Sequence, residues 1–182
     1  MHKAKLALSQ LVIVDMQVKL VLAMPADVMQ QATKNCSILA QAAMLLNVPT
    51  VLTEQYPQGL GATLPEIMQQ LSNTKAIEKT TFSACGEPKF NQQLQRENSQ
   101  IILVGMEAHI CVLQTALDLL QASKQVFVVE DAILSRTPAN KANAIARLQQ
   151  AGAVITNTES VIFEWLGNAN HEAFKTLSKL IR

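Results

Sequence analysis

Charge is scarce in this sequence, and what there is nearly cancels. Only 16% of the 182 residues are charged, and fifteen basic against fourteen acidic side chains leave a net charge of +1. So little charge beside 49% hydrophobic residues excludes a disordered chain or a coiled coil. The near balance removes the electrostatic footprint that a nucleic-acid partner or an anionic membrane surface would require. Cysteine is scarce too. Cys36, Cys85 and Cys111 are odd in number and contain no C-x-x-C pair, so neither a disulfide framework nor a zinc cluster is expected. Long apolar runs are missing, because Asp15, Gln17, Lys19 and Asp27 interrupt the most hydrophobic region, which excludes a membrane-spanning helix. No small-residue cleavage site follows Leu6-Ala7-Leu8, and the protein reads as cytoplasmic. Glycine is sparse, and where Gly59-x-Gly61 could open a dinucleotide fingerprint, Leu64 stands at the third glycine position. There is no Walker motif, G-x-S-x-G elbow or H-E-x-x-H. His2, His109 and His171 are spread without ligand spacing, so metal-independent chemistry is expected.

What is present is an alternation. Short β-branched runs at 11–14, 49–52, 76–77, 101–104, 126–129 and 153–155 are separated by helical patterns near 27–46, 88–97, 110–123, 139–151 and 170–181, with a shorter one near 64–71. Continuous apolar strands are buried on both faces, and strands separated by helices must run parallel. Together these give an α/β sheet covered by helices on each side. No repeat or linker divides the chain, so one domain over 1–182 is expected.

In an open parallel sheet, ligands bind beyond the carboxyl ends of the strands. Asp15 ends the first strand, Lys79 follows the third, and Cys111 lies beyond Gly105 where the fourth gives way to a helix. Each has a plain alternative: a turn or capping aspartate, a solvated lysine, and small core filler for the cysteine. The conjunction favours chemistry. A thiol at a helix N-terminus beside an ammonium has its anion favoured, which should lower its pKa and make Cys111 the most reactive thiol, and a nearby carboxylate can carry its proton. Cys36 reads as packing and Cys85 as a bystander in a loop. The segment 54–63, containing Tyr56, forms one wall of a site in this reading.

Three segments also resemble the signatures of the isochorismatase-like cysteine hydrolases: Leu11-Val12-Ile13-Val14-Asp15-Met16-Gln17, Glu78-Lys79-Thr80-Thr81-Phe82-Ser83 and Val104-Gly105-Met106-Glu107-Ala108-His109-Ile110-Cys111-Val112. Thr53 to Gly61, Leu113 to Leu120 and Glu159 to Phe163 are similar to the isochorismatase-domain-containing subgroup. The resemblance implies a three-layer α/β/α fold around a six-stranded parallel sheet and an Asp15, Lys79, Cys111 triad. It implies hydrolysis of a small amide, ester or imide without an organic cofactor. It also implies a non-proline cis bond between Met106 and Glu107, which would turn backbone N–H groups toward an oxyanion. Glu107, Gln17, Tyr56 and Phe82 are the expected oxyanion and substrate contacts, although Glu107 and His109 each also suit a structural role. Nicotinamidases of the family carry an Asp-x-His metal pair after the second strand, whereas Glu54-Gln55-Tyr56 stands here, which counts against both metal and nicotinamide. A homo-oligomer is expected from the resemblance and from Phe163, Trp165, Leu166 and Phe174. Two rivals stay open, a non-catalytic scaffold on the same fold and a thiol that senses oxidants.

Overall fold

The computed structural model of the protein describes residues 3–71 and 74–181, so His2 lies outside the described residues. The elements run in the order β1 (Ser9–Val14), α1 (Ala26–Leu45), β2 (Thr50–Gln55), α2 (Pro57–Leu60), α3 (Pro65–Met68), β3 (Ile77–Lys79) and α4 (Pro88–Gln93). They continue as β4 (Gln100–Met106), α5 (Leu113–Gln121), β5 (Gln125–Leu134), α6 (Pro138–Gln150), β6 (Val154–Thr156), α7 (Thr158–Leu166) and α8 (Phe174–Leu180). The six strands form one sheet in the order β3-β2-β1-β4-β5-β6, and every neighbouring pair is parallel.

The two-residue period of the strands divides the core into two layers. Leu11, Ile13, Ile102, Val104, Phe127 and Val129 face α1 and α7, while Val12, Val14, Ile101, Leu103, Val126 and Val128 face α5 and α6. Helices therefore cover both faces, as the apolar strands require. Strand order reverses between β1 and β4, since the chain winds outward from β1 to β3 on one side and from β4 to β6 on the other. A crevice opens at such a switch point beyond the carboxyl ends of the strands, and the segments after β1 and β4 both enter it.

Several boundaries differ from expectation. The helix expected over 88–97 stops at Gln93, and β3 extends through Lys79, placing that lysine in the strand itself. Strand β5 continues to Leu134 with a shift in register against β4. Helix α7 was not anticipated from the pattern, although its start is marked: the Asn157 side-chain oxygen accepts the Ser160 N–H at 2.8 Å as an N-cap. It carries Val161, Ile162, Trp165 and Leu166 into the core, and Trp165 Nε1 donates to Ser9 Oγ at 2.9 Å. Trp165 and Leu166 thus close the core and give no support to an oligomer; Phe163 remains 42% exposed, edge-on to Phe174.

Gly105 fixes how closely the two site-bearing strands approach. It pairs with Val14 across the sheet at φ +118°, and a Cβ there would lie 2.0 Å from the Val14 carbonyl oxygen. No flexible side chain can yield, because the obstacle is backbone. Gly105→Ala is expected to destabilise the fold by about 3 kcal/mol or more, lowering Tm by roughly 6–12 °C. A melting curve within two degrees of wild type would show that the strands can separate cheaply at this point.

Candidate active site

Asp15 leaves β1 in the left-handed region, φ 50°, and its N–H donates to the Thr53 carbonyl of β2 at 3.1 Å. Aspartate tolerates this conformation better than most residues. Its side chain is fully buried and both oxygens are engaged: Thr53 Oγ1 donates to Oδ1 at 2.7 Å and Lys79 Nζ to Oδ2 at 2.7 Å. The Lys79 side chain is equally buried, so the pair is a salt bridge wholly removed from water. Removing one partner from such a pair strands a buried charge and costs about 3–5 kcal/mol. That is a large commitment for a structural contact at the mouth of a sheet.

Cys111 reaches the same place from β4. After Met106 the chain passes through a cis peptide bond to Glu107, as the resemblance implies, and then widens into a turn over Ala108–Val112. There the Val112 N–H donates to the Glu107 carbonyl, five residues back, at 3.2 Å. Such wide turns frequently mark functional sites. The turn runs directly into α5, so Cys111 belongs to the opening of a helical segment whose first turn is one residue wider than a regular one.

The expected lowering of the thiol pKa is reversed. Burial, followed by the charge of Asp15, pushes Cys111 up to about 12, against a smaller opposing pull from Lys79; both neighbours also act on the thiol through hydrogen bonding. Burial likewise raises Cys85, to about 11, and Cys36 further still. Low pKa therefore does not distinguish Cys111. What does is a hydrogen bond: the Asp15 carboxylate hydrogen-bonds the Cys111 thiol, whereas Asp118 and Asp131 act on Cys85 and Cys36 through charge alone and those sulfurs face the Thr115 carbonyl at 3.9 Å and the Ala132 carbonyl at 3.3 Å.

The remaining expected contacts separate into two groups. Tyr56 is 56% exposed at φ 38° and walls a cavity of about 430 Å³ with Gln58, Glu78, Lys79 and Thr80. Phe82 is equally exposed, and its carbonyl accepts from Lys79 Nζ at 3.2 Å. A larger hollow, about 690 Å³, lies against the start of β2 and along β3, and neither Asp15 nor Cys111 lines it. Gln17 and Glu107 are engaged by protein partners. Gln17 is fully buried: its Oε1 accepts the Gln55 N–H at 2.8 Å and its Nε2 donates to the Gln55 and Gly61 carbonyls at 3.0 and 2.6 Å, clamping the 55–61 segment. Glu107 receives Arg136 Nη2 at 2.6 Å and Nε at 3.0 Å. Burial works to raise the Glu107 pKa, but the hydrogen bonds and charge of Arg136, with the charge of His109, outweigh it and hold the carboxyl low. His109 is held between Ser135 Oγ and the Asn140 amide, at 3.0 and 3.3 Å.

Thr53, Gln55 and Arg136 are the site residues that the sequence pattern did not single out. Thr53 and Gln55 were open to the same argument that found Asp15, being polar residues ending an apolar strand at the same sheet edge. Arg136 follows β5, which runs to Leu134, well beyond the apolar run 126–129 that marks it in the sequence. Among the described residues, no three His, Cys, Asp or Glu side chains gather as a metal site.

The fold is a three-layer α/β/α one: a six-stranded parallel sheet covered by helices on both faces, with a buried carboxylate–ammonium pair beside a cysteine at its switch point. The model of the isochorismatase domain matches residues 9–160. Isochorismatase domain-containing protein 2 of Bos taurus is 42% identical over 155 residues, 84% of this chain and 74% of that protein. The chain therefore belongs to the isochorismatase family. Among solved structures, MAR1 ribonuclease from Caenorhabditis elegans superposes with a TM-score of 0.93 at 38% identity, covering 98% of this chain and 92% of that one. YcaC from Pseudomonas aeruginosa, solved with hexane-2,5-diol and covalent acrylamide, gives 0.87 at 25% identity over 98% and 95%.

Proposed function

We propose that this protein is a cysteine hydrolase that cleaves a small amide through an acyl-enzyme. The observation that carries the reading is the buried 2.7 Å pair of Lys79 and Asp15 acting on the Cys111 thiol. As Sγ attacks the carbonyl carbon, Asp15 takes the thiol proton, and the carbonyl oxygen becomes an oxyanion facing backbone N–H groups of the 107–111 turn. Asp15 then returns the proton to the leaving amine as the C–N bond breaks, leaving a thioester. Water attacks the thioester with Asp15 again accepting a proton, and Sγ departs to regain it, releasing a carboxylic acid. Lys79 donates throughout and transfers nothing; its cation offsets the negative charge that Asp15 and Sγ share. A thiol near 12 at rest requires this concerted proton removal, since free thiolate is scarce at neutral pH.

Covalent acrylamide in the Pseudomonas neighbour means that a nucleophile of that protein has added to an electrophilic alkene, which supports a reactive side chain on this fold and leaves the substrate class to the assay. Burial and the Asp15 charge, which push the Cys111 thiol up, count against an oxidant sensor, which relies on a standing thiolate. The Caenorhabditis neighbour bears the name of a ribonuclease. For this chain the near-cancelled charge offers little to hold a polyanion, so RNA enters only as one arm of the test. That test is a panel of small amides, esters, imides and an RNA oligomer, read by released ammonia, acid or shortened RNA, with Cys111→Ala alongside. Amide turnover that disappears in the variant supports the reading; RNA cleavage that survives in the variant, with every amide inert, overturns it.

No helix among the described residues is long and apolar enough to cross a membrane. We further propose that copies of the chain associate, because Leu22, 82% exposed, and Val18 and Phe163 present apolar surface to water. Light scattering at micromolar concentration should report a particle of at least twice 19.9 kDa. A monomer alone would refute association.

A further inference from the structure

Glu107 opens the turn that carries Cys111, and it is bound through both backbone and side chain. Its carbonyl accepts the Ile110 N–H at 3.0 Å and the Val112 N–H at 3.2 Å, so the turn closes on this one oxygen. Its side chain is 4% exposed, and among the described residues Arg136 supplies every hydrogen bond to it. Nη2 donates to Oε1 at 2.6 Å, Nε to Oε2 at 3.0 Å and the Arg136 backbone N–H to Oε2 at 3.3 Å. A buried carboxylate without donors is costly, so these bonds are what keep it in place. His109 ties the middle of the turn to Ser135 and Asn140, but through its ring, two residues beyond the carbonyl on which the turn closes. Arg136, half-exposed just after β5, thus holds the turn at its origin.

We infer that Arg136 is a positioning residue for acyl transfer: through Glu107 it fixes the turn whose backbone N–H groups receive the oxyanion. The inference rests on the proposed roles of Cys111 and of that turn. Without the guanidinium, only the 3.3 Å backbone bond remains on the carboxylate, which then turns toward water or takes a proton. Either movement shifts Glu107 and the carbonyl on which the turn closes, and the N–H groups of 107–111 lose their common aim. Oxyanion donors work only while they are held in place beforehand. The thiol is affected less, because Asp15 and Lys79 reach it from β1 and β3 and it lies buried with Ala108 and Val112. Two kinds of thiol chemistry therefore separate. Acyl transfer builds an oxyanion and depends on the turn; alkylation, a displacement at saturated carbon, builds none. Loss of Arg136 should slow the first and spare the second, whereas general loosening would expose the sulfur and speed the second.

The test applies two reagents to one sulfur in the full chain, with peptide mass locating each adduct and circular dichroism reporting the fold. With p-nitrophenyl acetate, Sγ bonds to the acetyl carbon, the thiol proton passes to Asp15 and p-nitrophenolate leaves; with iodoacetamide, Sγ displaces iodide. Arg136→Met should slow acylation of Cys111 about tenfold or more while alkylation stays within about twofold of wild type. The ester is uncharged, so a lost contact between guanidinium and substrate cannot produce the drop. Arg136→Lys, which keeps a cation and its N–H donors, should recover part of the acylation rate. Glu107→Gln should also slow acylation, and adding it to Arg136→Met should cost little more, because both act on one link. Unchanged acylation in Arg136→Met, alkylation that rises in that variant, or losses that add fully in the double variant would each overturn the inference. If Arg136→Met fails to fold, Arg136→Gln carries the comparison. The proposed role of Cys111 fails separately, if Cys111→Ala releases nitrophenolate as fast as wild type.

Discussion

Cys111→Ala is expected to reduce amide hydrolysis by about 10⁴-fold or more, to the level of the uncatalysed assay. Losing a nucleophile removes the covalent path altogether, and the other members of such a constellation cannot act without it. The fold should be nearly indifferent. Only a sulfur atom is lost from a side chain that is 6% exposed, so the stability change should stay near 1 kcal/mol. Cys36→Ala and Cys85→Ala supply the contrast, since the carboxylates near them, Asp131 and Asp118, act through charge and make no hydrogen bond to the sulfur, and both variants should keep turnover within about twofold of wild type. Steady-state kinetics on the best amide, with melting curves for all three variants, checks this. Comparable losses for Cys85→Ala and Cys111→Ala would move the chemistry to a different thiol.

Asp15→Asn should separate ionisation from catalysis. The carboxylate charge is the second cause, after burial, of the raised Cys111 pKa. Neutralising it removes part of that rise, so the alkylation profile should move to lower pH than in wild type. Turnover should nevertheless fall by about 10³-fold or more, because an amide cannot accept the thiol proton or activate water. In wild type, alkylation of Cys111 should climb about tenfold per pH unit throughout the neutral range, as expected for a thiol near 12. The Asn side chain can still accept from Lys79 through its oxygen, so the variant should fold, at a cost of about 3 kcal/mol for the buried cation left without its counter-charge. An Asp15→Asn protein with near-native kcat would remove the base from the mechanism. One whose alkylation profile moves upward would contradict the electrostatics.

Much of this site was legible in the sequence because sheet topology carries it. Asp15, Lys79 and Cys111 end or follow apolar strands, and a parallel sheet places all such ends at one edge, so juxtaposition needed no coordinates. The direction of the Cys111 pKa was not legible: the sequence reveals a helix start and a lysine, but whether burial outweighs them depends on how completely the turn over Ala108–Val112 packs, and Cys111 is 6% exposed. The protein partners of Gln17 and Glu107 were not legible for a related reason. A polar residue in a signature segment can face substrate or satisfy its own backbone, and only the partners, Gln55 and Gly61 for one and Arg136 for the other, decide which. Helix α7 escaped because its nine residues contain five buried ones, leaving little polar face to reveal the helical period.

The proposed hydrolysis turns on a covalent bond between substrate carbon and one sulfur. The direct measurement is intact-protein mass after rapid acid quench of the enzyme with a saturating small amide, followed by peptide mapping. The acyl-enzyme mechanism predicts a transient gain equal to the acyl group, localised to the peptide containing Cys111 and absent in Cys111→Ala. Amide turnover with no such adduct in the first turnover, or an adduct on any other residue, would contradict it.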